Sequence, residues 1–213
     1  MNIKTFVIRS VIGIVLSVII YLGLLRYIYL HFANTEKYIE KYKSLKDASS
    51  KDKVVIVIPV NNDKINKLKP VLNSILDQTV RVNNIFIHST EHKSKYPEIV
   101  NKVAYVAKCG QDYCEAMGII PALLREDNKE TIIIILHDNI IYGKDFIQAM
   151  VEEIKDKDKP IQTEKAVVIK PKYFKPGTVQ KGPQNDKDWL LECLDNCNID
   201  KVSYIENFKA IQL

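Results

Sequence analysis

The sequence predicts an α/β domain, a mostly parallel sheet flanked by helices, preceded by a transmembrane helix. Three observations carry this. Val54-Val-Ile-Val-Ile58 and Thr131-Ile-Ile-Ile-Ile-Leu136 are continuous apolar runs rich in β-branched residues, with no polar alternation. That is the pattern of strands buried on both faces. Stretches with helical spacing follow both runs, and strand–helix alternation with short connections implies parallel pairing through right-handed crossovers. Ahead of all this, Val11 to Leu25 is uncharged and mostly Val, Ile and Leu.

Taken in order, residues 1–33 read as a short tip and a membrane anchor. Fifteen apolar residues fall short of the about 20 a bilayer needs. Continuing to Leu30, with Arg26 snorkelling its stem toward headgroups and Tyr27 and Tyr29 at the interface, closes the gap. His31-Phe32-Ala33 is a poor small-x-small cleavage site, so the anchor is expected to stay uncleaved. The expected orientation is N-terminus cytoplasmic, with the domain lumenal or extracytoplasmic. Residues 34–53 form a charged stem. Tyr38, Tyr42 and Leu45 share a helical face there, Asn34 or Thr35 is placed to cap, and the expected role is a spacer.

The globular domain is expected over 54–213. After the Val54 strand, a helix over 64–78 places Leu68, Val71, Leu72, Ile75 and Leu76 toward the sheet, with Pro70 marking a late start or a kink. Asn84–His88 and Lys102–Val106 read as further strands. A helix over 111–125 carries Met117, Ile120, Leu123 and Leu124 at core spacing, interrupted by Pro121. After the Thr131 strand, Asp145–Ile154 repeats apolar residues at Phe146, Ile147, Met150, Val151 and Ile154, a helix with one buried face. A strand at Lys165–Ile169, a Pro-, Gly- and Lys-rich loop, a helix over Asp186–Asn196 and a short strand at Lys201–Ile205 complete the expectation.

The 213 residues are 46% hydrophobic and carry a net charge of +5. Only Arg9, Arg26, Arg81 and Arg125 are arginines. Readers of nucleic acid favour arginine forks, and the lysines form no patch interleaved with aromatics. A nucleic-acid role is excluded on that ground. Cys109, Cys114, Cys193 and Cys197 lack the C-x-x-C spacing usual at zinc sites. Free thiols or disulfides are the alternatives. Any bridge is expected to involve Cys109–Cys114 or a cross-pairing, because an i,i+4 pair in a regular helix is awkward to bridge.

The chemistry is expected where the buried Thr131 strand stops, at His137-Asp138-Asn139, because ligands of open α/β sheets sit outside the carboxyl ends of the strands. The opening strand's loop, Pro59 to Lys64, should face that triplet. His88 ends another strand nearby.

These stretches resemble the GT-A glycosyltransferases, family-2-like nucleotide-diphospho-sugar transferases with a Rossmann-like core, here truncated. The resemblance rests on Pro59 and its polar loop, on Ser74-Ile-Leu-Asp-Gln-Thr79, which is similar to an S-L-x-x-Q-T helix end, and on Asp112-Tyr113 with Ile120-Pro121-Ala122-Leu123. It rests also on the strand, triplet, Ile140-Ile141-Tyr142 and Asp145-Phe146 in sequence. It covers about Val54 to Ile154. His137-Asp138-Asn139 stands where the family has an aspartate triplet or D-x-D, and Gly118 stands where a lysine near the diphosphate is expected.

The resemblance implies a membrane-anchored transferase that moves a sugar from a UDP- or GDP-linked donor to a glycan, protein or lipid acceptor. It implies donor binding through Pro59, Asn61, Lys64, His88, Asp112 and Asp138, and weak Mn²⁺ or Mg²⁺ binding through His137 and Asn139. Metals of this kind prefer charged oxygens, and the triplet keeps one carboxylate. The alternative is a catalytically inactive relative that binds or scaffolds. Asp186, Asp188 and Glu192 are candidates for a catalytic base by residue type only, and Trp189, Leu190 and Leu194 are expected to pack on the sheet.

Overall fold

In the computed structural model, residues 3–61, 63–89, 96–108, 118–174, 203–204 and 210–212 are described. The expectations placed on the four cysteines, Asp112, Met117, Asp186, Asp188, Trp189 and Glu192 lie outside them. Two helices lead, α1 (Ile3–Phe32) and α2 (Thr35–Lys43). The domain follows as β1 (Val54–Pro59), α3 (Lys69–Leu76), β2 (Asn84–Ser89), α4 (Glu98–Val103), β3 (Tyr105–Lys108), α5 (Ile120–Arg125) and β4 (Ile132–Leu136). It continues as β5 (Ile140–Tyr142), α6 (Phe146–Lys157), β6 (Ile161–Gln162), β7 (Ala166–Ile169), β8 (Ser203–Tyr204) and β9 (Ala210–Gln212).

The main sheet has the order β3-β2-β1-β4-β7-β6-β8, and β5 pairs with β9 apart from it. Strands β3, β2, β1 and β4 run parallel. From β1 the chain winds outward to β2 and β3, then returns to place β4 on the other flank of β1. The crevice between β1 and β4 is therefore the topological switch point, where such sheets bind ligands. The expected Lys165 strand is β7, and it runs antiparallel to β4, so the parallel half of the sheet ends there.

The continuous runs are explained by cover on both faces. Val54, Ile56, Ile58, Ile132, Ile134 and Leu136 meet Leu68, Val71, Leu72 and Ile75 of the α3 segment and the α6 face Phe146, Ile147, Met150, Val151 and Ile154. Val55, Val57 and Ile133 form a smaller cluster with Ile119, Ala122 and Ile169 on the opposite face. Each such side chain contributes about 1.5–3 kcal/mol on burial. Pro70 begins α3 rather than kinking it: a single 3-10 turn, Ile65–Lys67, precedes the helix. Pro121 likewise falls in the first turn of α5, the position that tolerates a missing N–H.

Three expectations are corrected. Residues 102–106 are not one strand, because α4 runs to Val103 and β3 begins at Tyr105. Lys102 is fixed on that helix by Glu98 four residues back and by Glu36 of α2. The 34–53 segment is no free spacer. Asn34 caps α2 by accepting from the Glu36 N–H at 3.0 Å, Ile39 is buried, the Tyr42 hydroxyl accepts from the Val82 N–H at 2.7 Å, and Arg81 pairs with Asp47 at 2.6 Å. Arg26 does not reach outward. Its guanidinium donates to the Tyr142 carbonyl at 2.9 Å and lies 3.8 Å from Asp77, while the Leu30 carbonyl accepts from Asn73 at 2.7 Å. The end of α1 is thus fastened to α3. Among the described residues, no helix is long and apolar enough to cross a membrane.

Candidate functional site

The site is built at the switch point. Strand β1 ends at Pro59, paired in register with His88 of β2. The Val60 N–H donates to the His88 carbonyl at 2.9 Å, and a tight turn follows in which the Lys64 N–H donates to the Asn61 carbonyl at 2.9 Å. That turn aims Lys64 across the crevice. Its ammonium lies 3.5 Å from the Asp138 carboxylate, with the lysine side chain about half exposed (49%) and the aspartate largely covered (13%). The two loops expected to face one another do so, and this pair joins them.

The triplet itself is held from behind. The His137 N–H donates to the Tyr142 hydroxyl at 2.8 Å, and that hydroxyl donates to the Lys165 carbonyl at 2.9 Å. Tyr142 is fully buried, and burial raises its pKa far above the ordinary tyrosine value, so the phenol remains a donor. The local surroundings of the His137 ring disfavour its charged form and lower its pKa, with Asp138 opposing the shift. Asn139 is half-buried beside it.

Residues of the Ser74–Thr79 motif, for which no positioning role was expected, do most of the positioning. Ser74 accepts from the Tyr142 N–H at 3.2 Å. Gln78 donates to the Gly143 carbonyl at 2.6 Å and accepts from the Ile147 N–H at 3.0 Å, which caps α6 from another element. The Thr79 N–H donates to the Lys144 carbonyl at 2.9 Å. The polar residues of the Ser74–Thr79 stretch therefore hold the Tyr142–Ile147 turn, and the two motif-like stretches are one assembly. The signal was present in the sequence as polar residues on an otherwise apolar helix, without their partners.

His88 is wholly buried, and its Nε2 lies 3.0 Å from the Arg125 guanidinium, which also stacks 4.2 Å over Phe86. A ligand at that strand end meets Arg125 before it meets the imidazole. Gly118 touches the site closely. A Cβ there would come within 2.6 Å of Ile135 Cγ2 and 3.5 Å of Pro59. A side chain at this position would require Ile135 to shift.

The residues present do not suit a resident Mn²⁺ or Mg²⁺. Such ions take several charged oxygens, and the one carboxylate of the triplet already faces an ammonium. Among the described residues, no group of three or more His, Cys, Asp or Glu could hold a metal.

No family model matches the chain, and no curated protein matches it. Solved structures do. A mannosyltransferase from Pyrobaculum calidifontis, in complex with GDP-Man and Mn²⁺, is 12% identical and aligns with a TM-score of 0.52 over 88% of this chain and 62% of its own. Glucosyl-3-phosphoglycerate synthase from Mycobacterium tuberculosis, in complex with Mn²⁺, UDP and glucosyl-3-phosphoglycerate, is 10% identical, with a TM-score of 0.55 over 78% of this chain and 74% of its own. This is a GT-A-like fold. A 4-diphosphocytidyl-2C-methyl-D-erythritol synthase from Anaerococcus prevotii, 10% identical, aligns at 0.51 over 76% and 90%. The GT-A-like architecture of nucleotide-diphospho-sugar transferases is thus present, and this chain spans 62% of the length of the mannosyltransferase.

Proposed function

We propose that the chain binds a UDP- or GDP-linked sugar at the switch point, between 59–64 and 137–139, and transfers the sugar to a glycan, protein or lipid acceptor. The observation that carries this reading is the Lys64–Asp138 pair across the β1–β4 crevice, which puts a half-exposed cation where a diphosphate would lie. The fold supports it, since two structures of like architecture are complexes with GDP-Man or with UDP. Pro59, Asn61, Lys64, Asp112 and Asp138 remain the proposed donor contacts, with buried His88 acting through Arg125, and no catalytic base is assigned.

The anchor belongs to the same proposal. Helix α1 is 30 residues long, and Val11, Ile12, Ile14, Val15, Val18, Leu22 and Leu25 are exposed large apolar side chains along it. A bilayer is the natural cover for such a surface. The proposed arrangement is a single pass with the domain extracytoplasmic. Alkaline carbonate extraction of full-length protein checks it: retention in the membrane pellet supports the anchor, and release defeats it.

A non-catalytic binding role is the second reading, favoured by the single carboxylate of the triplet. A hydrolysis screen of the detergent-solubilised full chain over UDP- and GDP-sugars separates the two. Turnover of any donor establishes the transferase reading. Tight nucleotide binding with no turnover favours the binding protein.

A further inference from the structure

We propose that Lys64 supplies the positive charge that a divalent metal would otherwise bring to this edge, so that nucleoside diphosphate binding here is metal-independent. This rests on the nucleotide reading above and specifies how that site balances its charge. A diphosphate entering a site of two aspartates meets like charge unless a cation intervenes. Here the triplet offers one carboxylate, Asp138, flanked by an imidazole and an amide. Lys64 faces that carboxylate at 3.5 Å, so the carboxylate already has a cationic partner before any ion arrives.

The geometry suits exchange of partners. Asp138 is covered and pinned in a loop whose backbone is fixed through Tyr142. Lys64 is half exposed, on a flexible stem, with three donors on its ammonium. Asp138 therefore positions the ammonium, and an incoming phosphate oxygen can bond it from the solvent side without breaking the pair. A hard cation would have to displace Lys64 from Asp138 and then find its remaining ligands among an imidazole and an amide, poor partners for Mg²⁺ or Mn²⁺. Gly118, pressed against Ile135 and Pro59, carries no cation on the α5 side. The cation reaches the crevice from the β1 loop instead.

The test is calorimetric titration of UDP and GDP into the detergent-solubilised full chain, in EDTA and in Mn²⁺. The expected result is binding of at least one nucleotide with affinities that agree within about twofold in the two buffers. Lys64→Ala and Lys64→Gln should weaken that binding about tenfold or more in both, and Lys64→Arg should recover most of it. Asp138→Asn should leave the EDTA-to-Mn²⁺ ratio near one, whereas a metal site would lose its metal-dependent component. Affinity that rises tenfold or more with Mn²⁺ in the wild type, or that is indifferent to Lys64→Ala, overturns the inference and leaves the nucleotide reading standing. Absence of nucleotide binding in both buffers, by protein with a cooperative melting transition, overturns both.

Discussion

The two ends of the β4–β5 turn are built in opposite ways. At one end, the Tyr142–Lys144 backbone is bonded to Ser74, Gln78, Thr79 and Arg26, from α1 and the α3 region. At the other end, among the described residues, His137–Asn139 is held by the His137 N–H bond to the Tyr142 hydroxyl and by a half-exposed ion pair. The buried end has invested its polar groups in position, because an unpaired donor or acceptor there costs about 1–3 kcal/mol. The open end has kept its groups available. Chemistry can change at such an edge without loss of the fold.

Breaking the buried end should have the largest effect. Tyr142→Ala removes a fully buried aromatic and both hydroxyl bonds, at about 3–5 kcal/mol. Tyr142→Phe keeps the ring and strands the His137 N–H and Lys165 carbonyl, at about 1–3 kcal/mol. Denaturant melts of the two variants should separate in that order, and both should exceed any single substitution at His137 or Asn139. An edge variant as costly as Tyr142→Phe would undo the comparison.

Gln78→Leu tests the same end from α3. It conserves approximate volume but leaves the Gly143 carbonyl and the Ile147 N–H without their partner, at about 1–3 kcal/mol. Loss of the cap should also raise amide hydrogen exchange in the first turn of α6. Exchange unchanged at Ile147 would show that the cap is dispensable.

At the open end the effect should fall on ligands rather than stability. His137→Asp with Asn139→Asp gathers three carboxylates and should create Mn²⁺-dependent UDP or GDP binding that the wild type lacks. Without metal, the like charges should cost less than about 1 kcal/mol, since the loop is open to solvent. Added Mn²⁺ should then raise the melting temperature by mass action. Calorimetry showing no gain in Mn²⁺ affinity would remove the triplet from consideration as the site.

The smallest effect is a pH slope. His137 in the folded chain titrates below its ordinary value of 6.5. The unfolded chain therefore binds the proton first as pH falls, and stability declines below about 6.5 through the lowered folded value. Above that window both states are neutral and the contribution is flat. His137→Gln should remove this part of the slope, and Asp138→Asn should steepen it, because the one group raising the histidine's pKa is gone. Thermal melts from pH 7.5 to 5 read both.

The strands at 54–58 and 132–136 and the face Phe146 to Ile154 were legible because burial on a fixed period writes itself into adjacent residues. The meeting of 59–64 with 137–139 was legible too, since strand ends of a parallel sheet share one edge. Charge identity at that edge gave Asp138 and Lys64 as separate candidates. Their pairing across the crevice was a matter of where the β1 turn points. Arg125 on His88, Gln78 on the α6 start and Ser74 on Tyr142 were not legible, because a polar side chain in a sequence does not announce its partner. The α4–β3 segment misled at its start, where Lys102 and Val103 close a helical turn and the strand begins only at Tyr105.

By itself, the sequence determined the α/β class, the two central strands and the apolar faces of α3 and α6. These follow from local periodicity and from the cost of leaving such faces in water. Only the tertiary structure decided that Arg26 binds the Tyr142 carbonyl 116 residues away, that 34–53 lies along the domain, that Gly118 lies against Ile135, and that Lys64 stands against Asp138. Each of these depends on directional contacts between distant residues. Hydrogen bonds and close approaches are set by geometry over a few tenths of an ångström, and that geometry exists only once the chain has folded.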